Sequence, residues 1–391
     1  MKGRDKKIFN ISLKVSVLAT ALWSGIVAVL LSDIISQYAL VGTQEGLMGS
    51  MISTGALIAL LATIFLQGRL KKTQIIIWGG FLASAVLIIQ GIPMPFILFL
   101  LACFTMGFGH GAVDSSQSAF LADLNQGDTA RHMGALHGIF GIGGMLTPIL
   151  LHRLLQHFEW RTIYIIAGMI CFVLVAQFAV VTRYMGPKVS VASRREPKLT
   201  LAGAREFFGS ADSVYVLLSI FFGAAAQSGI IIWTIRYVSV SMGSPEIAAI
   251  CLSIFWITTT ISRFGSPMLP MQPSRIVTFG AFIAAVTWAV ALLINHPLGM
   301  CAASGIAGLV SGSCIPMMLS EGAAINPEKT GFSTSILMIC KTIGQIVSPI
   351  IVAFVMSLGS MRTGMYVTSV LFVLNGIFAG LMIRKPIIPQ K

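Results

Sequence analysis

The chain has 391 residues, of which 56% are apolar and 10% charged, with a formal net charge of +13. So thin a polar coat cannot cover a soluble core of that size, which excludes a water-soluble fold and makes lipid the solvent. A positive balance of this size would suit nucleic acid, but the cations fall where a membrane protein places them, so nucleic acid is excluded as a partner.

A membrane-crossing helix needs roughly 20 apolar residues. Twelve such segments are predicted, near 11–37, 46–67, 74–92, 95–122, 132–156, 162–184, 213–240, 246–268, 275–294, 297–323, 331–357 and 362–384. The expected fold is therefore an all-α membrane protein of twelve transmembrane helices in two pseudo-symmetric six-helix bundles. Residues 1–184 form the first bundle, 185–212 a cytoplasmic linker and 213–391 the second bundle. The linker carries Pro187, Pro197 and a run of cations, with room for a short surface helix around Leu199–Phe208.

Lys2, Arg4, Lys6, Lys7 and Lys14 lead into the first span, and Arg69, Lys71 and Lys72 follow the second. Most other cations sit at the linker, the eighth-to-ninth turn (Arg263, Arg275) and the carboxyl end. Only Arg153, Arg161 and Arg362 fall on the outer side, while Arg236 and Lys341 lie within spans. By the positive-inside rule both termini face the cytoplasm, across a cytoplasmic (inner) membrane. The six cysteines sit singly within spans and fit buried thiols.

Asp33, in the outer part of span one, is either a hydrated boundary acid or a site for substrate or a second proton. Gly49, Ser50, Ser53 and Gly55 give span two a small-residue stripe suited to close helix contact. In span four His110, Asp114 and Gln117 follow i, i+4, i+7 spacing and share one face. Gly107 and Gly111 beside them are packing devices. An ionised carboxylate within a span is expensive and usually marks a pathway, so Asp114 is the leading candidate for proton coupling. Span five holds His137 among glycines and ends at Pro148, a helix able to bend or pack tightly. His137 fits either a proton or substrate contact or a satisfied packing histidine.

Span seven holds Gln227, then Trp233 and Arg236 at i, i+3, which meet on one face. Arg236 is either a substrate ligand or a side chain snorkelling to the interface. Glu321 near the inner end of span ten fits a gate with Lys329 or Arg131. Lys341, well inside span eleven, needs a partner, water or a lowered pKa. Asn375 reads as an interhelical hydrogen bond.

The halves are copies. At a displacement of 201 positions, Gly107, Gly111, Asn125, Thr129, Leu136, Ile142, Gly143 and Pro148 meet Gly308, Gly312, Asn326, Thr330, Leu337, Ile343, Gly344 and Pro349. Gly79 and Phe81 likewise meet Gly280 and Phe282, and Gly42 and Glu45 meet Gly243 and Glu246. Parallel repeats of this kind are a transporter signature. Asp114 has Ile315 as its twin and Lys341 has Phe140, so the repeat itself does not demand these charges.

Two halves of six spans, a basic central linker and the basic turn Gly68-Arg-Leu-Lys-Lys-Thr73 resemble the major facilitator superfamily. That family's turn carries an acid that is missing here. Ser32-Asp-Ile-Ile35, and Gly107-Phe-Gly-His-Gly-Ala-Val-Asp114 with Gln117 and Ser118, are similar to segments of its fucose–proton symporter group. The resemblance implies that Asp33 and Asp114 stand where that group keeps its two membrane acids, which serve proton coupling and sugar binding. A group asparagine that touches sugar is replaced by Phe140.

The function expected is secondary active transport of a small polar, sugar-like solute by alternating access, coupled to proton symport. Asp33 and Asp114 would couple protons, Gln117, His137, Trp233, Arg236 and Lys341 would contact substrate, and Gly107, Gly111 and Glu321 would serve packing and the gate. The expected energy source is the proton gradient with no cofactor, the surroundings membrane lipid, the state a monomer. No phosphate loop, nucleophile elbow or metal cluster points to an enzyme. The alternatives are an organic-anion carrier or exchanger using Arg236 and Lys341, a multidrug exporter, and, from another class, a non-transporting receptor or scaffold.

Overall fold

The computed structural model describes residues 3–40, 47–66, 69–185 and 201–383, and these are helical apart from short turns. Fourteen α-helices follow one another along them. The first six are α1 (Gly3–Tyr38), α2 (Leu47–Leu66), α3 (Lys72–Gln90), α4 (Phe96–Leu124), α5 (Thr129–Leu155) and α6 (Trp160–Met185). A short α7 (Leu201–Gly209) stands at the expected surface helix. Then come α8 (Ala211–Arg236, prolonged by a π-turn at Tyr237–Ser241), α9 (Pro245–Gly265), α10 (Pro273–Ile294), α11 (Pro297–Ser311), α12 (Cys314–Ile325), α13 (Thr330–Leu358) and α14 (Met361–Leu381). The sequence matches at Gly42, Glu45 and Gly68 and most of the linker lie outside the described residues.

Among the described residues, eleven spans are long and apolar enough to cross a membrane, with α11 and α12 together making one of them. The remaining long helix, α5, has 27 residues, about 40 Å at 1.5 Å each. Its length suffices too, and residues 134–151 within it are mostly apolar and carry no Asp, Glu, Lys or Arg. Bulky apolar side chains point outward throughout: Trp78 is 70% exposed, Phe65 71% and Ile350 64%. In water such a surface would aggregate; in hydrocarbon it is ordinary solvation. This is a multi-pass membrane protein.

The helices form two compact units, Met1–Thr200 with Asn326–Ile339, and Leu201–Ile325 with Cys340–Lys391. The first turns of α13, second-half residues by sequence, thus pack with the first unit. In the first unit α4 packs against α2 and α3, while α6 packs against α1 and α3. In the second unit the equivalent pairs recur: α11 against α9 and α10, and α14 against α8 and α10. The duplicated glycines explain this. A Cβ on Gly107 would run into the Ile52 carbonyl of α2, and one on Gly308 into the Phe255 carbonyl of α9. Helices in lipid adhere through such close backbone approach rather than through hydrophobic exclusion of water. Phe9, Phe120 and Phe178 complete the first unit with edge-on rings 5.8–6.3 Å apart.

Candidate functional site

In the first unit α4 is continuous for 29 residues, so His110 and Asp114 stack one turn apart on a common face. Both are half-buried. The His110 ring meets the Trp23 indole of α1 edge-on, with centroids 6.2 Å apart. Gln117, a turn further on, is 1% exposed and donates from Nε2 to Ser16 Oγ at 3.0 Å. Helical spacing placed the three on one face, but α1 closes over its last member, and Gln117 ties α1 to α4. His137 of α5 is 9% exposed.

Asp33 lies near the far end of α1, half-buried, on a polar pocket of about 510 Å³. Gln37, His157, Glu159 and Arg161 share that pocket, and the Arg161 guanidinium stacks 4.7 Å above the Trp160 ring. The pocket is formed against the α5–α6 turn, at the opposite end of the unit from the amino terminus.

The amino-terminal end holds a cluster that the sequence reading did not single out. Lys72, a cation of the basic turn, is 7% exposed, and its Nζ lies 2.5 Å from Asp123 Oδ2 of α4. Thr330, the first residue of α13, donates from Oγ1 to Asp123 Oδ1 at 2.6 Å and accepts from Lys72 Nζ at 2.6 Å. A desolvated ion pair is favourable only when further hydrogen bonds satisfy it, and Thr330 provides them. Asp123 thus supplies, from α4, the acid that the basic turn lacks. Deeper along α13, Ser335 Oγ lies 2.9 Å from Ser115 Oγ and 3.2 Å from Thr63 Oγ1. Asn10 and Asn125 exchange side-chain hydrogen bonds at 2.8 and 3.0 Å behind the cluster.

The second unit is irregular in a different way. Span ten, expected as one helix over 297–323, is interrupted at Gly312–Ser313 between α11 and α12. Pro316 has no N–H, so the Gly312 carbonyl four residues back lacks its helical donor. Arg263 of α9 fills the vacancy from Nε at 3.3 Å, and Gln227 of α8 donates to the neighbouring Ser311 carbonyl at 2.8 Å. Arg263, which flanks the eighth-to-ninth turn as expected, is 6% exposed for this reason. Pro349 inside α13 frees the Gln345 carbonyl in the same way, and Ser228 Oγ donates to it at 3.0 Å. Adjacent residues of α8 therefore serve two disrupted helices. Gly229 beside them lets Thr368 of α14 come close, since a Cβ there would lie 2.7 Å from its Oγ1.

Further along α8 the Arg236 guanidinium lies 5.9 Å above the Trp233 ring, as the i, i+3 spacing predicts. Arg236 is exposed and Trp233 half-buried. Lys341 and Glu321 are both half-buried, on α13 and α12. Asn375 donates from Nδ2 to the Ser219 carbonyl at 2.7 Å, the expected interhelical bond. All six cysteines are free thiols, and four of them, Cys103, Cys171, Cys251 and Cys314, are buried.

Duplicated bundles, glycine-packed second and fourth helices of each, and a basic turn anchored on α4 now stand together. The sequence matches the Major Facilitator Superfamily over residues 15–270. The chain belongs to that superfamily. Its fold is similar to that of the superfamily transporter FucP in the outward conformation, with a TM-score of 0.76, 17% identity, and 97% of this chain and 100% of that one covered. A variant of the Escherichia coli fucose:proton symporter gives 0.78 at 17% identity, covering 96% and 98%. The human organic anion transporter MFSD10 gives 0.70 at 14% identity, covering 96% and 99%. No curated protein matches in sequence. At such identities the solved structures establish fold alone, while the family match makes this chain a secondary transporter of small molecules.

Proposed function

We propose that the protein is a proton-coupled symporter of a small polar, sugar-like solute in the inner membrane, with both termini cytoplasmic. One observation carries the reading: Asp114 is a half-buried acid within an apolar helix, a turn from His110, where the twin half has Ile315. An acid that passes between water and low dielectric during alternating access gains and loses a proton, because burial favours its neutral form. The fold of a fucose:proton symporter supports the same coupling. Asp33, on its polar pocket, is the second acid of this scheme. Lys72, Asp123 and Thr330 tie α3, α4 and the start of α13 together at the amino-terminal end of the first unit.

In proteoliposomes, Asp114→Asn should abolish uphill accumulation driven by an inward proton gradient, a loss of at least tenfold, while equilibrium counterflow of labelled sugar continues. Undiminished uphill uptake by that variant refutes the assignment.

A second reading, organic-anion carriage, is favoured by Arg236 stacked on Trp233. A guanidinium over an indole face presents its edge donors to a carboxylate. Uptake of acidic solutes separates the two readings: anion carriage predicts uptake by the native chain that Arg236→Gln abolishes, whereas sugar symport predicts none by either.

A further inference from the structure

A second cavity in the first unit, of about 580 Å³, runs between α1, α5 and α6. From Gly143 to His157 it follows fourteen residues of chain, about 20 Å at helical rise. Its walls are Leu18 and Leu22 of α1, Leu146 and Leu150 of α5, and Ile170 and Leu174 of α6. Leu150 is 57% and Ile170 48% exposed, so the groove is open along its length. The hydroxyl of Thr147, within the groove, already donates to the Gly143 carbonyl at 2.8 Å, which leaves an apolar guest no stranded donor to cover. At the α5–α6 end the lining changes abruptly to Arg153, Gln156 and His157.

We propose that this groove is a binding site for one anionic phospholipid, with an acyl chain along the leucine walls and the phosphate on Arg153. Arg153 is exposed and its guanidinium makes no hydrogen bond or ion pair with any described residue. No carboxylate lines the groove; the nearby Asp33 and Glu159 line the neighbouring polar pocket instead. Guanidinium and imidazole donors match a phosphodiester, and the mouth gives an ethanolamine ammonium no carboxylate to pair with. The apolar length and the basic mouth lie in line, as chain and headgroup do in a lipid. A lipid held there would brace α1 against α5 and α6, at the end of the unit where Asp33 lies.

Native mass spectrometry of the detergent-purified full chain, titrated with phosphatidylglycerol or phosphatidylethanolamine of matched acyl chains, tests this. One phosphatidylglycerol should be retained per chain, at least tenfold more tightly than phosphatidylethanolamine. Arg153→Gln should collapse that preference to threefold or less while Arg153→Lys keeps it. Leu150→Trp, which fills the groove, should weaken both lipids about tenfold with an unchanged melting profile. Equal retention of the two lipids by the native protein overturns the proposal, as does a preference that survives Arg153→Gln or binding indifferent to Leu150→Trp.

Discussion

The fourth helix of the first half and its twin in the second start from the same frame and break it differently. Gly107 and Gly111 meet Gly308 and Gly312, and each pair brings its helix against the backbone of the second helix in its own half. Beyond that point α4 runs on unbroken with Asp114 and Ser115, whereas the twin positions hold Ile315 and Pro316 and the helix is interrupted. One copy keeps a regular backbone and carries a charge. The other stays uncharged there and carries freed carbonyls, satisfied by Arg263 and Gln227. Duplication preserved the packing surface and let each copy acquire its own irregularity. The acid lies in one copy and the backbone break in the other.

The largest expected effect breaks the first side of this contrast. Lys72→Met leaves the half-buried Asp123 with Thr330 alone, and removal of one partner from a largely desolvated ion pair costs about 3–5 kcal/mol. Melting followed with a thiol-reactive dye suits the measurement, because four cysteines are buried and report unfolding as they are uncovered. The double variant Lys72→Met with Asp123→Leu should recover most of the loss. If Lys72→Met melts like the native chain, the pair is only a surface contact.

A smaller effect sharpens the second side. Arg263→Met takes the donor from the Gly312 carbonyl, and a buried unsatisfied acceptor costs about 1–3 kcal/mol. In a Pro316→Ala background residue 316 regains its N–H, which donates to that same carbonyl, so Arg263→Met should become cheaper by about 1 kcal/mol. Strict additivity would mean that Arg263 is held by its other contacts and that Pro316 is incidental.

Much of this frame was legible in the sequence. Apolar segments of sufficient length placed the helices, and the 201-residue displacement identified the glycines that pack them. Asn375 was readable as an interhelical bond because a lone amide in an apolar span has few alternatives. Lys72, Asp123 and Thr330 were not, since they lie 51 and 207 positions apart and each alone looks like an ordinary loop residue. The burial of Arg263 was hidden for the related reason that a charge at a span's end defaults to water unless a neighbouring helix offers an acceptor. The break in span ten carried a signal, Pro316 four residues after Gly312, which apolar length alone overlooked. Gln117 shows the limit of periodicity: spacing fixes the face a residue occupies but not how closely the next helix covers it.

The smallest effect concerns Ser228, and it decides whether α8 acts on α13 or merely touches it. Hydrogen bonds between membrane helices average about 0.6 kcal/mol, so Ser228→Ala alone should shift the melting point barely beyond error. The informative variant is Pro349→Ala. It restores the donor to the Gln345 carbonyl within α13, so Ser228 then competes with an intrahelical bond. If the Gln345 carbonyl freed by Pro349 is what recruits Ser228, the two substitutions together should equal Pro349→Ala alone. If Ser228→Ala has the same effect in both backgrounds, the serine is packing against α13 independently of the proline. The paired vacancies on α11–α12 and α13 would then be separate features, not two ends of one arrangement centred on Gln227 and Ser228.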